Sequence, residues 1–172
     1  MLSLDSVSYF IGAQQLIKHW IFAVADNHIA LSLTLPCSAQ RAWNEIVDWE
    51  KQGTWMLQTS VWLTSEIENG PGTEIAAFTG PLHKLFPRFK FFGVLDTMVV
   101  TNWQPPSICD VLHTGKIIKG TGRFEVVAIN DQKSLFNWSE IIWAPRVIFL
   151  ILKPALYVGV WISLRRFART LR

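Results

Sequence analysis

The sequence predicts an α+β fold in which a curved, seven-stranded antiparallel sheet wraps a long C-terminal helix. Three observations predict it. Val94 to Val126 reads as three consecutive strands, broken at Gln104-Pro105-Pro106-Ser107 and at Gly120-Thr121-Gly122, since proline lacks a ladder donor and glycine permits a tight reversal. Helical patterns fall only near the two ends of the chain, which argues for helices segregated from the strands and against alternating βαβ units. Leu156, Val160, Leu164, Phe167 and Leu171 lie on one helical stripe that a sheet must cover.

Taken in order, residues 1–25 carry Tyr9-Phe10-Ile11, Leu16-Ile17 and Trp20-Ile21-Phe22 at helical spacing. The run is too interrupted by Gln14, Gln15, Lys18 and His19 to span a bilayer, and it lacks the regions of a signal peptide. It reads as an amphipathic extension that packs on the domain or lies on a membrane, or else as an over-extended gene start, with the domain proper at 26–172. His28 to Pro36 alternates, with Ile29, Leu31, Leu33 and Leu35 on one face. Ser38 caps a helix over Ala39–Trp49, and a second short helix or turn ends near Gly53. Strands are expected at Thr59–Ile67 and Thr73–Thr79, joined through Glu68-Asn69-Gly70-Pro71-Gly72. Gly80 to Gly93 is a loop mixing His83, Lys84, Arg88 and Lys90 with phenylalanines. Then come Val94–Trp103, Ile108–Lys119, a strand from Arg123 to Asn130, and Ser134–Trp143. Pro145 suits the first turn of a helix, Pro154 kinks or restarts it, and Ala155–Leu171 completes it. Val147 to Leu164 reaches the lower length limit for a spanning helix, but Lys153 and Pro154 lie inside it, so a helix buried against the sheet is expected. Seven strands meandering about a terminal helix make a helix-grip fold, with a cavity between sheet and helix.

Half of the 172 residues are hydrophobic and 17% are charged, with nine Trp and eleven Phe; such aromatic content builds a core, lines a cavity, or both. Cys37 and Cys109 follow no metal-binding spacing and, without an export signal, read as buried free thiols in a cytoplasmic protein. No metal or other cofactor is expected. The net charge of +3 is uneven: Arg146, Lys153, Arg165, Arg166, Arg169 and Arg172 stand after Ile141 with no acid among them. A basic helix end complements its dipole; it also attracts an anionic membrane.

The pieces HIALSLTLPCSAQRAWNEIVDWEKQGTWM, GPGTEIAAFTG, LDTMVVTNWQPP, CDVLHTGKIIKGTGRFEV, FNWSE and SLRRFAR, in this order over residues 24–172, resemble the SRPBCC superfamily. That superfamily includes START lipid-transfer domains, birch-pollen-allergen-like proteins and polyketide cyclase/dehydratases; small actinobacterial members show the pattern. The resemblance implies a hydrophobic ligand cavity, serving binders, carriers and a minority of enzymes.

No GxSxG, HExxH, P-loop or GxGxxG motif is present, and no motif supports nucleic-acid binding. The polar groups able to reach the cavity are Asp96, His113, Glu125 and Glu140. Asp96 shares a strand face with Met98, and Glu140 shares one with Trp138. A hairpin turning at Thr121 puts His113 on the face of Phe124 and Val126, whereas a one-residue slip reverses this. The expected function is binding or carriage of a hydrophobic small molecule or lipid, with Trp55, Phe78, Met98, His113, Phe124, Trp138, Leu156 and Val160 as the lining. One alternative is cyclase/dehydratase chemistry with Asp96, His113 and Glu140 as acid–base groups. The other is a membrane-surface module using the N-terminal helix, the 80–93 loop and the basic C-terminal end.

Overall fold

The computed structural model describes residues 24–80 and 93–172. The expected N-terminal helix and most of the 80–93 loop therefore lie outside the described residues. The order is β1 (Val24–Leu35), α1 (Ala39–Ile46), α2 (Trp49–Trp55), β2 (Thr59–Leu63), β3 (Glu74–Thr79), β4 (Val94–Gln104), β5 (Ile108–His113), β6 (Gly120–Asn130), β7 (Lys133–Pro145) and α3 (Arg146–Thr170). The strands form one antiparallel sheet in the order β1-β7-β6-β5-β4-β3-β2, the helix-grip architecture with its long terminal helix.

Each helix start has a local cause. Ser38 Oγ accepts from Arg41 N–H at 3.3 Å, and Ala42, Trp43 and Ile46 then bury one face of α1. Asp48 caps α2 by accepting from Lys51 N–H at 3.3 Å. The second helix therefore begins within the span expected for the first, and it runs past Gly53 to Trp55. Gln52 Nε2 donates to the Ile46 carbonyl at 2.7 Å, satisfying an orphan acceptor at the end of α1.

The strand boundaries differ from the sequence expectation in several places; β2, expected to run to Ile67, stops at Leu63. β1 starts at Val24, where Val24 and Ala25 pair with Pro145 and Ala144. Asn27 fastens this end, its side chain donating to the Ile142 and Ala144 carbonyls at 3.2 and 3.0 Å. β5 stops at His113, and the chain turns through residues 114–119. Gly120-Thr121-Gly122 is consequently not a reversal but the start of β6. Its glycines serve close approach: a Cβ on Gly120 would collide with the Ile141 carbonyl of β7.

Two faces of the sheet are chemically distinct. The inner face carries Ile29 and Leu35 of β1, Ile75 of β3, Val100 of β4, Cys109 and Val111 of β5, Phe124 and Val126 of β6, and Phe136 and Trp138 of β7, all buried. A bulge in β4 between Val100 and Asn102 returns Trp103 to this side, where its ring meets Trp43 at 5.1 Å. The outer face carries cross-strand polar pairs: Ser32 Oγ to Asn137 at 2.7 Å, Asn137 to Glu125 at 2.8 Å, and Asn102 to Asp110 at 3.0 Å. Glu125 therefore points away from the interior and drops out of the candidate site residues.

α3 is continuous through Pro154, and its two halves have different surroundings. Ser163, Leu164, Phe167 and Leu171 are buried. Ser163 Oγ accepts from Leu57 N–H at 2.9 Å and Arg166 donates to the Thr54 carbonyl at 2.8 Å, so this half is bolted to α2. The first half is not buried against the sheet as expected. From Leu150 to Val158 every residue is exposed, and Leu156 is 38% exposed. Among the described residues, α3 is the one helix long and apolar enough to cross a membrane, and 17% of its apolar window is buried.

Candidate functional site

The inner face divides into an aromatic floor and a polar end. Trp138 stands 5.2 Å from Phe124 and 6.4 Å from Trp55, ring centre to ring centre. Phe167 of α3 closes the floor, 4.8 Å from Trp55 and 6.0 Å from Phe136. Tilted and edge-on geometries of this kind add about 0.5–1.5 kcal/mol each to the area they bury. Trp55, Phe124 and Trp138 are thus packed core first, and any ligand would touch only their upper edges.

Above them the side chains change character. Met98 of β4 pairs with His113 of β5, which sets Asp96 diagonally across from His113 on the same face. The imidazole Nδ1 lies 2.7 Å from Asp96 Oδ2, with both residues buried. A carboxylate accepts, so Nδ1 carries a proton, and in the neutral ring Nε2 then presents its lone pair. Nε2 and Asp96 Oδ1 are buried without a hydrogen-bond partner among the described residues.

Gly122 explains how His113 meets Glu140. β6 lies between β5 and β7, with Gly122 opposite Val111 on one side and Glu140 on the other. A Cβ on Gly122 would stand 3.5 Å from His113 Nε2, 3.9 Å from Glu140 Cγ and 2.9 Å from Val111 Cγ2. The missing side chain lets Val111 pack over this position of β6, with the His113 ring and the Glu140 stem flanking it. Trp138 Nε1 donates to Glu140 Oε1 at 3.0 Å, which ties the carboxyl to the aromatic floor.

The electrostatics follow from this packing. Burial works against a charged His113, but the hydrogen bond and charge of Asp96, with a contribution from Glu140, outweigh it and raise the imidazole above its ordinary value. Burial raises the Glu140 carboxyl; His113 and the Trp138 N–H pull it back and Asp96 adds to the rise, leaving it raised. Glu140 nevertheless keeps some accessible surface. Among the described residues, no group of three His, Cys, Asp or Glu has the arrangement to hold a metal ion. Cys109 is buried beneath, its thiol pushed up to about 12 by burial and the Asp110 charge, and takes no part.

Of the residues expected from the sequence, Asp96, Met98, His113, Phe124, Trp138 and Glu140 share the inner face, and Trp55 meets them from α2. Phe78 does not: it pairs with Leu95 on the opposite face, its ring packed over Gly93. Leu156 lies on the exposed half of α3, and Val160 sits at the border between the halves, partly buried against the core. Gly122 was missed. Its signal was alternation: it stands two residues before Phe124, hence on the same face.

No family model matches the chain, and no curated protein matches it. Solved structures do. A START superfamily protein from Mycobacterium smegmatis superposes with a TM-score of 0.66 at 12% identity, over 84% of this chain and 99% of that one. The Zhui aromatase/cyclase from Streptomyces sp. R1128 gives 0.63 at 10% identity, over 86% and 94%. The Aha1 dimer from Colwellia psychrerythraea gives 0.61 at 12% identity, over 84% and 96%. At these identities the likeness is one of fold, and the chain has the helix-grip fold that START-type proteins and aromatase/cyclases share.

Proposed function

We propose that the protein binds a hydrophobic small molecule or lipid bearing an oxygen function, its polar end seated over Gly122 between His113 and Glu140. The observation that carries this reading is a buried, unpartnered His113 Nε2 on the inner face, beside a raised carboxyl and above an aromatic floor. A buried polar atom without a partner costs about 1–3 kcal/mol, and a ligand hydroxyl donating to Nε2 would recover it. Apolar walls with a few placed polar groups are the usual make-up of such sites.

The same cluster favours a second reading, acid–base catalysis. His113 Nε2, oriented by Asp96, would take a proton from a carbon next to a carbonyl, while protonated Glu140 gives one to the carbonyl oxygen; enolisation of this kind opens aldol cyclisation and dehydration. The solved aromatase/cyclase has the same fold.

Native mass spectrometry of the purified protein, followed by solvent extraction, tests the binding reading. The expected result is a bound apolar molecule that Gly122→Val displaces, because a side chain there must push Val111 aside and crowd the space between His113 and Glu140. Absence of any bound molecule, together with no uptake of a hydrophobic fluorophore, overturns it. His113→Gln separates the two readings: a carrier keeps its ligand with about tenfold weaker affinity, whereas an enzyme keeps the ligand and loses turnover.

A further inference from the structure

We infer that the first half of α3 is a docking surface for an anionic lipid bilayer, inserted along the membrane plane and not across it. In this half Ile148, Leu150, Ile151, Leu152, Leu156 and Tyr157 are all exposed, Ile151 to 72%. At 100° per residue they occupy every side of the helix. A helix apolar all round belongs in a protein core or in lipid. Here the core covers the second half, and in the first half Phe149 alone reaches it.

Both ends of the exposed stretch are fixed. At the N-terminal end α3 continues directly from β7, whose last residue Pro145 is paired with Val24 of β1. At the C-terminal end Ser163 and Arg166 hold it to the α2 region. The free span, residues 146–161, is about 24 Å long at 1.5 Å per residue, short of the ~30 Å hydrocarbon core. Crossing would also draw the sheet edge into lipid. Insertion parallel to the surface needs neither.

Charge selects the kind of surface. Arg146, Lys153, Arg165, Arg166, Arg169 and Arg172 accompany this helix and no acid lies beyond Glu140, so anionic headgroups complement it. Lys153 sits in the middle of the apolar run with its ammonium 5.7 Å from the Phe149 ring, and its stem is long enough to carry the charge to the headgroup level. Tyr157 and Trp161 are exposed along the same stretch, and Trp143 is exposed near the end of β7 that leads into it, the residue types that settle at a membrane interface. Arg165 stacks on Trp161 at 4.5 Å, joining an interfacial ring to a phosphate-seeking cation.

Vesicle flotation of the full-length protein tests this. Phosphatidylcholine vesicles are compared with vesicles containing about 30% phosphatidylglycerol. The wild type is expected to float at least tenfold more with the anionic vesicles. Ile151→Glu combined with Val158→Glu is expected to abolish that flotation at an unchanged urea midpoint, since neither side chain packs in the core. Failure of the wild type to float with either composition overturns the inference, as does equal flotation of the substituted protein. A dimer by light scattering that the two substitutions dissociate, without flotation, also overturns it, because the face would then belong to a second copy of the chain.

Discussion

Two acid–base pairs that share β5 occupy opposite faces of the sheet, and they differ in how completely they are satisfied. On the outer face Arg123 grips Asp110 through two hydrogen bonds of 2.6 and 2.9 Å, with Asn102 adding a third donor. Every oxygen has a partner, the Arg123 side chain is 52% exposed, and the Arg123 hydrogen bond leads in holding Asp110 below the ordinary carboxylate range. On the inner face Asp96 and His113 are as close, at 2.7 Å, but each keeps a buried atom with no partner among the described residues. The outer pair is complete and therefore a piece of the sheet. The inner pair is incomplete, and the proposed ligand site rests on that difference.

The largest expected contrast between the faces is in packing. Phe136→Ala on the inner face of β7 should lower the unfolding free energy by about 3–5 kcal/mol, because Phe136 is fully buried against Phe124 and Phe167. Val127→Ala, on the outer face of β6 and 44% exposed, should change it by less than about 0.5 kcal/mol. Urea unfolding of both proteins measures this, and similar losses would remove the distinction between floor and surface. Next in size are the carboxylates themselves. Asp96→Ala strands the buried imidazole and should cost about 1–3 kcal/mol; Asp110→Ala breaks a solvent-screened pair and should cost no more than about 1 kcal/mol.

The smallest effect, and the sharpest in sign, is pH dependence. His113 is raised above 6.5, so its stabilisation is complete below pH 6.5 and is lost as pH rises through the folded value. Glu140 acts the same way: the unfolded carboxyl ionises near 4.5 and the folded one later, so stability declines as pH climbs between the two. Asp110 has the opposite sign. Its contribution is complete above 3.8 and is lost as pH falls through its lowered value. Urea midpoints across pH should therefore fall less steeply toward alkaline pH in His113→Gln and Glu140→Gln, and less steeply toward acid in Asp110→Asn. A wild-type alkaline decline that both inner substitutions leave untouched would separate the cluster from the stability of the fold.

Much of this arrangement was legible in the residues. Alternation at Ile29, Leu31, Leu33 and Leu35 marked β1, and the β5–β6 parity put His113 inward, as the structure does. The turn between those strands was misplaced because glycine signals two things at once: Gly120 and Gly122 read as a reversal, whereas they are strand positions kept bare for Ile141 and Val111. Val24–Asn27 showed no alternation, since their place is set by pairing with the far end of β7. The Asp96–His113 contact could not be read at all. It depends on the register between β4 and β5, which no local pattern encodes. The exposure of Leu156 was missed for a related reason: a stripe shows which residues could face a sheet, but not how far the sheet reaches.

That β1 lies beside β7 also governs how the protein is made. Asn27 and Ser32 find their partners 105 to 117 residues further along the chain, so the first of the described strands to be synthesised is among the last to be paired. At about 5–20 residues per second its alternating apolar residues wait several seconds for β7. Contacts this distant slow folding at a given stability. A chain that stops anywhere before Lys133 keeps β1 without its neighbour, and yields an unfinished sheet with a sticky first strand in place of a smaller domain.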